Sequence, residues 1–159
     1  MKRYILKKKD AERLLDFLNS YSGTDIHDER IGIMEVEKER FLTNETAFGF
    51  FVDDEPYLTV AGASMHLPTK KIVTVDTGAI RFVSDGADVM APGITEADES
   101  ISEGDIVYIT DEKNGRVIAI GKALMDGKKM VEGEKSSRKG KVIKNLHWAG
   151  DRIWKLTHG

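Results

Sequence analysis

The side chains best suited to chemistry in this sequence are cations that could bind an anion. The 159 residues carry a formal net charge of −3, but the charge is unevenly distributed. Between Asp85 and Gly115, nine acidic residues oppose only Lys113, whereas from Lys122 onward ten basic residues oppose four acidic ones. A basic C-terminal part is compatible with a face that binds phosphate, although scattered solvated charge would give the same composition.

Residues that could support catalysis or bind a metal are few and dispersed. The absence of cysteine excludes a thiolate nucleophile and a Cys-ligated zinc. Asp25, His27 and Asp28 could offer metal ligands, but they are interpreted as solvated residues of a loop. The segment Gly121–Lys129 (GKALMDGKK) departs from a phosphate-binding loop in its glycine spacing and in lacking Ser or Thr after the lysine. We therefore expect no enzyme activity, no cofactor and no metal.

Composition indicates a globular protein of the cytoplasm. The 40% of hydrophobic residues can form a core, and the 32% of charged residues can form its surface. No apolar stretch approaches the ~20 residues that would span a bilayer. The first ten residues, MKRYILKKKD, lack the apolar run of a secretory signal. We expect a monomer that does not contact membranes.

The elements of the first 70 residues predict a small α+β unit. Apolar residues at Ala11, Leu14, Leu15 and Leu18 have helical spacing, which predicts an amphipathic helix. That helix covers Lys9–Ser20, with Asp10 as N-cap and Gly23 just beyond its end. The predicted strands are Ile31–Val36, Ala47–Val52 and Tyr57–Ala61, with a turn at Asp53–Pro56 and the end of the unit near Leu67–Pro68. Because no linker follows, we expect the two halves to pack closely.

The second half predicts mainly short strands. Asp76 is placed to cap a helix that runs to Ser84, and Gly86 lies where a helix end needs positive φ. Asn114-Gly115 is a strong hairpin signal, and Pro92-Gly93 predicts a type II turn. The other predicted segments are strands Ile72–Val75, Ile106–Thr110 and Arg116–Leu124, extended Ala87–Met90, irregular or partly helical Gly127–Gly140, and a last hairpin of Lys141–Trp148 with Arg152–Leu156 around Ala149-Gly150-Asp151. Such strands with one early helix suggest a small, nearly closed barrel.

Four sequence blocks resemble the PUA domain in their content and order. They are VDTGAIRFVSDGADVMAPGI (Val75–Ile94), EGDIVYI (Glu103–Ile109), VIAIGKALM (Val117–Met125) and NLHWAGDRIWKL (Asn145–Leu156). The pairing of VDxGAIxFV with NxHxxxDxxW is similar to translation factors of the malignant-T-cell-amplified-sequence type and their archaeal stand-alone counterparts. The resemblance implies an α+β N-terminal domain (residues 1–70), then a mixed, mainly β PUA-type pseudo-barrel (residues 71–159) with a short helix after its first strand.

The resemblance implies a non-enzymatic protein that binds structured RNA, either rRNA or tRNA. The implied partner is the small ribosomal subunit, in translation initiation or recycling, and a protein partner is possible. One alternative is an accessory subunit for RNA-modification enzymes such as pseudouridine synthases, archaeosine transglycosylases or methyltransferases. About 70 residues are too few for such an enzyme's catalytic domain. Another alternative is a protein-interaction module that uses Trp148, Trp154 or the N-terminal domain.

PUA domains hold RNA in a cleft between the first helix, the strand after it and the last strand. Mapped onto this sequence, Arg81 would bind a phosphate and Gly86 would offer its N–H and a close approach to the RNA backbone. Phe82, Trp148 and Trp154 are expected to be packing residues more than base-stacking platforms, while Gly86 could equally be a helix cap and Pro92-Gly93 simply a turn. The implied RNA-binding residues are Thr77, Gly78, Arg81, Gly86, Asp88, Met90, Ala91, Pro92, Lys144, Arg152 and Lys155.

Overall fold

The first half of the chain forms an antiparallel sheet covered by one long helix. The computed structural model describes residues 1–158, and helix α1 (Lys8–Ser22) buries the predicted stripe of alanine and leucine. The first sheet follows the chain order, with strands β1 (Lys2–Ile5), β2 (Gly32–Val36), β3 (Glu39–Thr43), β4 (Ala47–Val52) and β5 (Glu55–Leu58). Helix α2 (Val60–Met65) then leads into the second half.

The second half forms a mixed six-stranded sheet in the order β7-β11-β10-β9-β6-β8. β6 pairs with β9 in parallel, whereas the other pairs are antiparallel. The strands are β6 (Ile72–Val75), β7 (Val89–Met90), β8 (Ile94–Ala97), β9 (Ile106–Asp111), β10 (Val117–Ala123) and β11 (Lys141–Trp148); the helices are α3 (Thr77–Val83), α4 (Gly127–Met130) and α5 (Arg152–His158). The predicted fold class, an α+β part followed by a mainly β pseudo-barrel, is confirmed. No helix among residues 1–158 is long and apolar enough to cross a bilayer.

The two halves share one hydrophobic core. The core of the first sheet includes Ile106, Tyr108, Val117 and Ile120, which belong to strands of the second sheet. A separate apolar cluster fills the interior of the second sheet. The expected close packing is therefore confirmed, while the domain boundary after residue 70 stays a prediction.

Tyr108 joins the halves through polar contacts as well as packing. Its buried hydroxyl lies 2.6 Å from the Ser22 hydroxyl and accepts a hydrogen bond from the Leu58 amide at 3.1 Å. Burial raises the pKa of Tyr108 to about 12, because a phenolate would be poorly solvated there. The hydroxyl therefore stays protonated at neutral pH and satisfies two buried groups of the first half.

Replacing Tyr108 with phenylalanine should lower the free energy of unfolding by about 1–3 kcal/mol. The change removes one oxygen and leaves the Leu58 amide and the Ser22 hydroxyl without this partner. Urea denaturation followed by circular dichroism measures the loss. Tyr57→Phe is the matched control, because the Tyr57 hydroxyl forms no hydrogen bond within residues 1–158. Equal stability of the two variants would contradict the prediction.

The predicted last hairpin is wrong, because Arg152–Leu156 belongs to helix α5. Asp151 begins this helix by accepting a hydrogen bond from the Trp154 amide at 2.8 Å. Ile153, Trp154 and Leu156 then pack against the core of the first half. The Asp151 cap and burial against the first half thus favour a helix in this segment, although its short apolar pattern suggested a strand.

Other differences lie at element ends. The predicted strand Tyr57–Ala61 stops at Leu58, because the Thr59 hydroxyl caps α2 by accepting from the Gly62 amide at 2.9 Å. Pro92-Gly93 belongs to a single 3-10 turn, Ala91–Gly93, and not to a type II turn. Helix α1 begins at Lys8, so Asp10 lies inside its first turn and is not the N-cap, whereas Gly23 ends the helix with positive φ as predicted. Strands β1, β3 and β8 were not predicted.

Candidate nucleic-acid interface

Helix α3 is anchored at its start by Asp76. The carboxylate accepts a hydrogen bond from the Ala79 amide at 2.9 Å, which confirms the predicted cap. Its other oxygen accepts from the Lys135 ammonium. Burial alone would raise the pKa of Asp76, but the hydrogen bonds from Lys135 and from the amides of Ala79 and Gly78 outweigh it, and the pKa is lowered. Asp76 therefore stays ionised and its charge is paired.

The first two residues of α3 differ in their availability to a ligand. Thr77 donates from both its amide and its hydroxyl to one Glu112 carboxylate oxygen, each at 2.9 Å. RNA could use these donors only by displacing Glu112. Gly78 is exposed, and a side chain there would meet only the Asp76 carboxylate at 3.4 Å. Thr77 is thus placed at the predicted face but already engaged, whereas the space beside Gly78 is open to approach, although the Gly78 amide faces Asp76.

Arg81 and Phe82 form an exposed pair at the end of α3. The Arg81 guanidinium lies 4.9 Å from the centre of the Phe82 ring and forms no salt bridge with the described residues. The expectation that Phe82 packs inside is wrong, since the residue is 56% exposed. A cation beside an open aromatic ring can bind a phosphate and stack on a base. Sequence reasoning favoured packing over base stacking for Phe82, although its position next to Arg81 was a usable signal of exposure.

Gly86 is required by the packing of Trp148. Its φ is +101°, as predicted for a helix end, but its N–H donates to the Val83 carbonyl at 3.1 Å and is not the free donor that was expected. A Cβ placed here would lie 2.6 Å from the Trp148 ring. Gly86 therefore leaves room for the indole of Trp148 to pack against the backbone. Since its N–H is already hydrogen-bonded, Gly86 could affect RNA binding only through the shape of the surface.

Gly86→Ala should lower the free energy of unfolding by about 2–4 kcal/mol. About 1–2 kcal/mol comes from the left-handed backbone, and the rest from displacing the Trp148 ring. Thermal denaturation and the tryptophan fluorescence spectrum measure the two effects. Gly104→Ala is the matched control, because Gly104 has a similar φ of +92° and no atom lies within 4 Å of the position that its Cβ would occupy. If both variants lost the same stability, the packing role of Gly86 would be wrong.

Asp88 fastens β7 to the neighbouring strand β11. One carboxylate oxygen accepts from the Asn145 amide at 2.8 Å, and the other lies 2.9 Å from the Lys141 ammonium. The Asn145 amide, followed by Lys141, lowers the pKa of Asp88 despite some burial. Asn145 also donates from its side chain to the carbonyls of Val83 and Ala87, at 3.0 Å each. Asp88 thus stabilises the pairing of β7 with β11, and its charge is already paired with Lys141.

The strand after α3 lies at the edge of the second sheet, as the predicted cleft requires. Met90 is 50% exposed and Pro92 is exposed, so both can be contacted. Ala91 is buried, and its amide donates to the Gly140 carbonyl at 2.9 Å. On β11, Lys144 is exposed and lies opposite the equally exposed Lys122 of β10. Met90, Pro92 and Lys144 are therefore accessible, and Ala91 is not.

Arg152 is held by the first half of the chain. Its guanidinium lies 2.7 Å from Glu37 and 2.9 Å from Glu39. The hydrogen bond to Glu39, followed by that to Glu37, raises the pKa of Arg152. Lys155 is exposed on α5 and lines a shallow cleft of about 640 Å³ that also contains Glu37, Asp85 and Trp148. The carboxylates at this cleft make it a poor phosphate site, and the charge of Arg152 is already paired.

The basic run Lys135–Lys141 lies beside the predicted cleft, although the predicted set of RNA-binding residues did not include this run. Its 3-10 turn, Lys135–Ser137, contacts the turn Ala91–Gly93. Two of its cations neutralise the carboxylates of Asp76 and Asp88, and Lys139 is exposed. The charge density of the run was a usable signal. In residues 1–158, no three His, Cys, Asp or Glu side chains converge as metal ligands.

The fold is that of a PUA-domain protein, since the family model of the PUA domain matches residues 71–148. An uncharacterized protein of Methanocaldococcus jannaschii is 42% identical over 96% of this chain and 95% of its own length. A hypothetical protein of Pyrococcus horikoshii, known from a crystal structure, is 34% identical, with a TM-score of 0.82 over 98% of this chain and 99% of its own. The chain belongs to this family of archaeal-type PUA proteins, which is homologous to malignant T-cell-amplified sequence proteins.

Two further relatives match only part of this chain. Translation machinery-associated protein 20 of Saccharomyces cerevisiae is 36% identical over 54% of this chain and 48% of its own length. A probable tRNA pseudouridine synthase B of Nanoarchaeum equitans is 42% identical over 48% of this chain but only 21% of its own. The chain thus spans about half the length of the yeast relative and a fifth of the length of the synthase.

Proposed function

We propose that this protein binds structured RNA through the face formed by α3, β7 and β11, and that it acts with the ribosome or tRNA in translation initiation or recycling. One observation carries the proposal: within the part that matches the PUA domain, Arg81 and Lys144 are exposed cations that form no salt bridge among the described residues. The similarity to a yeast protein associated with the translation machinery supports the cellular role.

The contacts divide the residues of this face by the role that we propose for them. Arg81 and Lys144 would bind phosphates, because their charges are unpaired among the described residues. Phe82 would stack on an unpaired base, while Gly78, Met90 and Pro92 would give shape to the surface. Asp88, Ala91 and Gly86 would support the face from within, and Thr77 would contribute only if Glu112 moved away.

Binding should be modest in affinity and sensitive to salt. If Arg81, Lys144 and Lys139 each neutralise one phosphate of single-stranded RNA, affinity should fall roughly tenfold to thirtyfold between 50 and 200 mM salt. Fluorescence polarisation with a labelled tRNA transcript measures this slope. A salt-independent affinity would contradict phosphate binding, and the absence of binding at 50 mM salt would contradict the proposed function for that RNA.

Crosslinking followed by sequencing of the bound RNA tests the cellular role. Recovery of small-subunit rRNA or initiator tRNA, with co-purification of the small ribosomal subunit, is the expected result. The competing function is an accessory RNA-recognition subunit for a modification enzyme, which the partial similarity to a pseudouridine synthase favours. Recovery of RNA segments that surround modified nucleotides, without ribosomal subunits, would support that function instead.

A further inference from the structure

An apolar groove lies between the first sheet and the second. It has a volume of about 1110 Å³ and is lined by β1, β2, the β3–β4 turn, α2, the β9–β10 turn and α5. We call it the β1 groove; the lining residues used below are Arg3, Tyr4, Ile5, Glu45, Met65, Leu67 and Arg116. Ile5, Met65 and Leu67 are 57%, 51% and 58% exposed, and Tyr4 is also exposed. Half of the eight exposed large hydrophobic side chains in residues 1–158 thus line one groove, which marks an interaction surface.

The same groove carries an unpaired strand edge. β1 is the first strand of the first sheet, and all four of its residues are exposed. The Leu6 amide donates to the Ile31 carbonyl, so in this antiparallel pair Tyr4 faces β2 with its backbone groups. By alternation, the amides and carbonyls of Arg3 and Ile5 point to the free edge. This edge can accept one further strand, and exposed apolar side chains stand beside it.

Charge decides what kind of strand fits. The first nine residues contain five cations, Lys2, Arg3, Lys7, Lys8 and Lys9, and no acid. Arg116, from the second half, adds a further cation to the lining of the groove, and Glu45 adds one acidic residue. A second copy of this chain that paired β1 with β1 would bring these cations together, which is unfavourable. An acidic segment with apolar side chains would satisfy the charge, the apolar surface and the strand edge together.

We propose that the β1 groove binds an extended acidic and apolar segment of another protein, which adds to the first sheet as a sixth strand beside β1. Main-chain hydrogen bonds would come from Arg3 and Ile5. Apolar side chains of the segment would contact Met65 and Leu67, and its carboxylates would pair with the basic N-terminal residues. RNA fits this surface less well, because RNA offers no strand backbone and little aliphatic surface.

A random twelve-residue peptide library displayed on phage, selected against the immobilised full chain, tests the proposal. We expect enrichment of sequences that alternate apolar residues with Asp or Glu. The enriched peptide is then synthesised and added to ¹⁵N-labelled protein. The amides of Arg3 and Ile5 should become protected from hydrogen exchange, which apolar contact alone would not cause. Selection of peptides without this pattern, or a lack of protection at Arg3 and Ile5, would overturn the proposal.

Variants separate the groove from other exposed apolar sites. Ile5→Asp with Met65→Asp should weaken binding of the enriched peptide at least tenfold, and Arg3→Glu should weaken it severalfold without changing apolar surface. Leu124→Asp is the matched control, because Leu124 is exposed but does not line the groove. Unchanged binding in the folded groove variants would refute the site. Two further results would also refute it: displacement of the peptide by tRNA, or a dimer in sedimentation that Ile5→Asp dissociates.

Discussion

Replacing Asp151 with alanine should lower the free energy of unfolding by about 3–5 kcal/mol. Asp151 is buried and accepts hydrogen bonds from the His147 ring at 3.0 Å, the Trp148 amide at 3.1 Å and the Trp154 amide at 2.8 Å. Removal of the carboxylate leaves three donors without this partner, one of them on the buried His147 ring, which is among the most destabilising single changes. The loss should exceed that of either substitution predicted above.

The effect should extend beyond the C-terminal helix because His147 continues the network into the first half. Its Nε2 accepts a hydrogen bond from the Val60 amide at 3.1 Å, so the neutral ring donates from Nδ1 to Asp151. Asp151, His147 and Val60 thus form a chain of hydrogen bonds from α5 through β11 to α2. Its loss should loosen the contact between the halves as well as the start of α5.

Urea denaturation, followed by circular dichroism and by fluorescence of the two tryptophans, measures the Asp151→Ala effect. Asp85→Ala is the control, because Asp85 is exposed and lines the cleft beside Trp148 without a side-chain hydrogen bond among residues 1–158. The control should change the free energy of unfolding by less than about 0.5 kcal/mol. An Asp151→Ala protein within about 1 kcal/mol of the parent would contradict the role of this network.

Acid should reduce the difference in the free energy of unfolding between the parent protein and the Asp151→Ala variant. Burial would raise the pKa of Asp151, but the hydrogen bond from His147 and those from the two amides outweigh it and lower the pKa. An unfolded aspartate titrates near pH 4. A carboxylate whose pKa is lower in the folded protein than in the unfolded chain stabilises the folded protein fully at pH values above the unfolded pKa. This stabilisation is lost as the pH falls through the folded pKa. The parent should therefore lose this stabilisation below about pH 4. Urea denaturation of both proteins at pH 7 and at pH 3 measures how far the difference in their free energies of unfolding decreases.

Reversing the charges of Arg81 and Lys144 together should weaken RNA binding roughly 100-fold at low salt. A hydrogen bond from a charged group contributes about 1.5–3 kcal/mol, so the loss of two amounts to about 3 kcal/mol or more. Every 1.4 kcal/mol is a factor of ten in affinity. Both residues are exposed and unpaired among the described residues, so the double variant should remain folded. Fluorescence polarisation with the labelled tRNA transcript, or with the RNA recovered by crosslinking, measures the change.

A second double variant controls for net charge. Arg13→Glu with Lys38→Glu makes the same change of −4, and both residues are exposed on the first half without salt bridges in the described chain. This control should weaken binding only slightly, through long-range electrostatics. Equal losses in the two double variants would show that binding depends on net charge alone. An unchanged affinity of the folded Arg81 and Lys144 variant would refute the proposed face.

The sequence by itself determined most of the fold. Four ordered blocks identified the PUA domain, and local signals located helix α3, its Asp76 cap and the hairpin at Asn114-Gly115. Such features depend on side-chain periodicity and backbone preference over a few residues, so they are legible in a sequence. The same reasoning failed at α5, where burial against distant residues decided between helix and strand.

Only the tertiary structure decided which charges of the candidate site are free. Arg152 was indistinguishable from Arg81 in the sequence, yet Arg152 is paired with Glu37, 115 residues away. Glu112 occupies the donors of Thr77 across 35 residues, and Lys135 neutralises Asp76 across 59. A salt bridge depends on the distance between side chains in space, and spacing along the chain does not determine that distance. Availability for RNA is therefore a property of the folded surface.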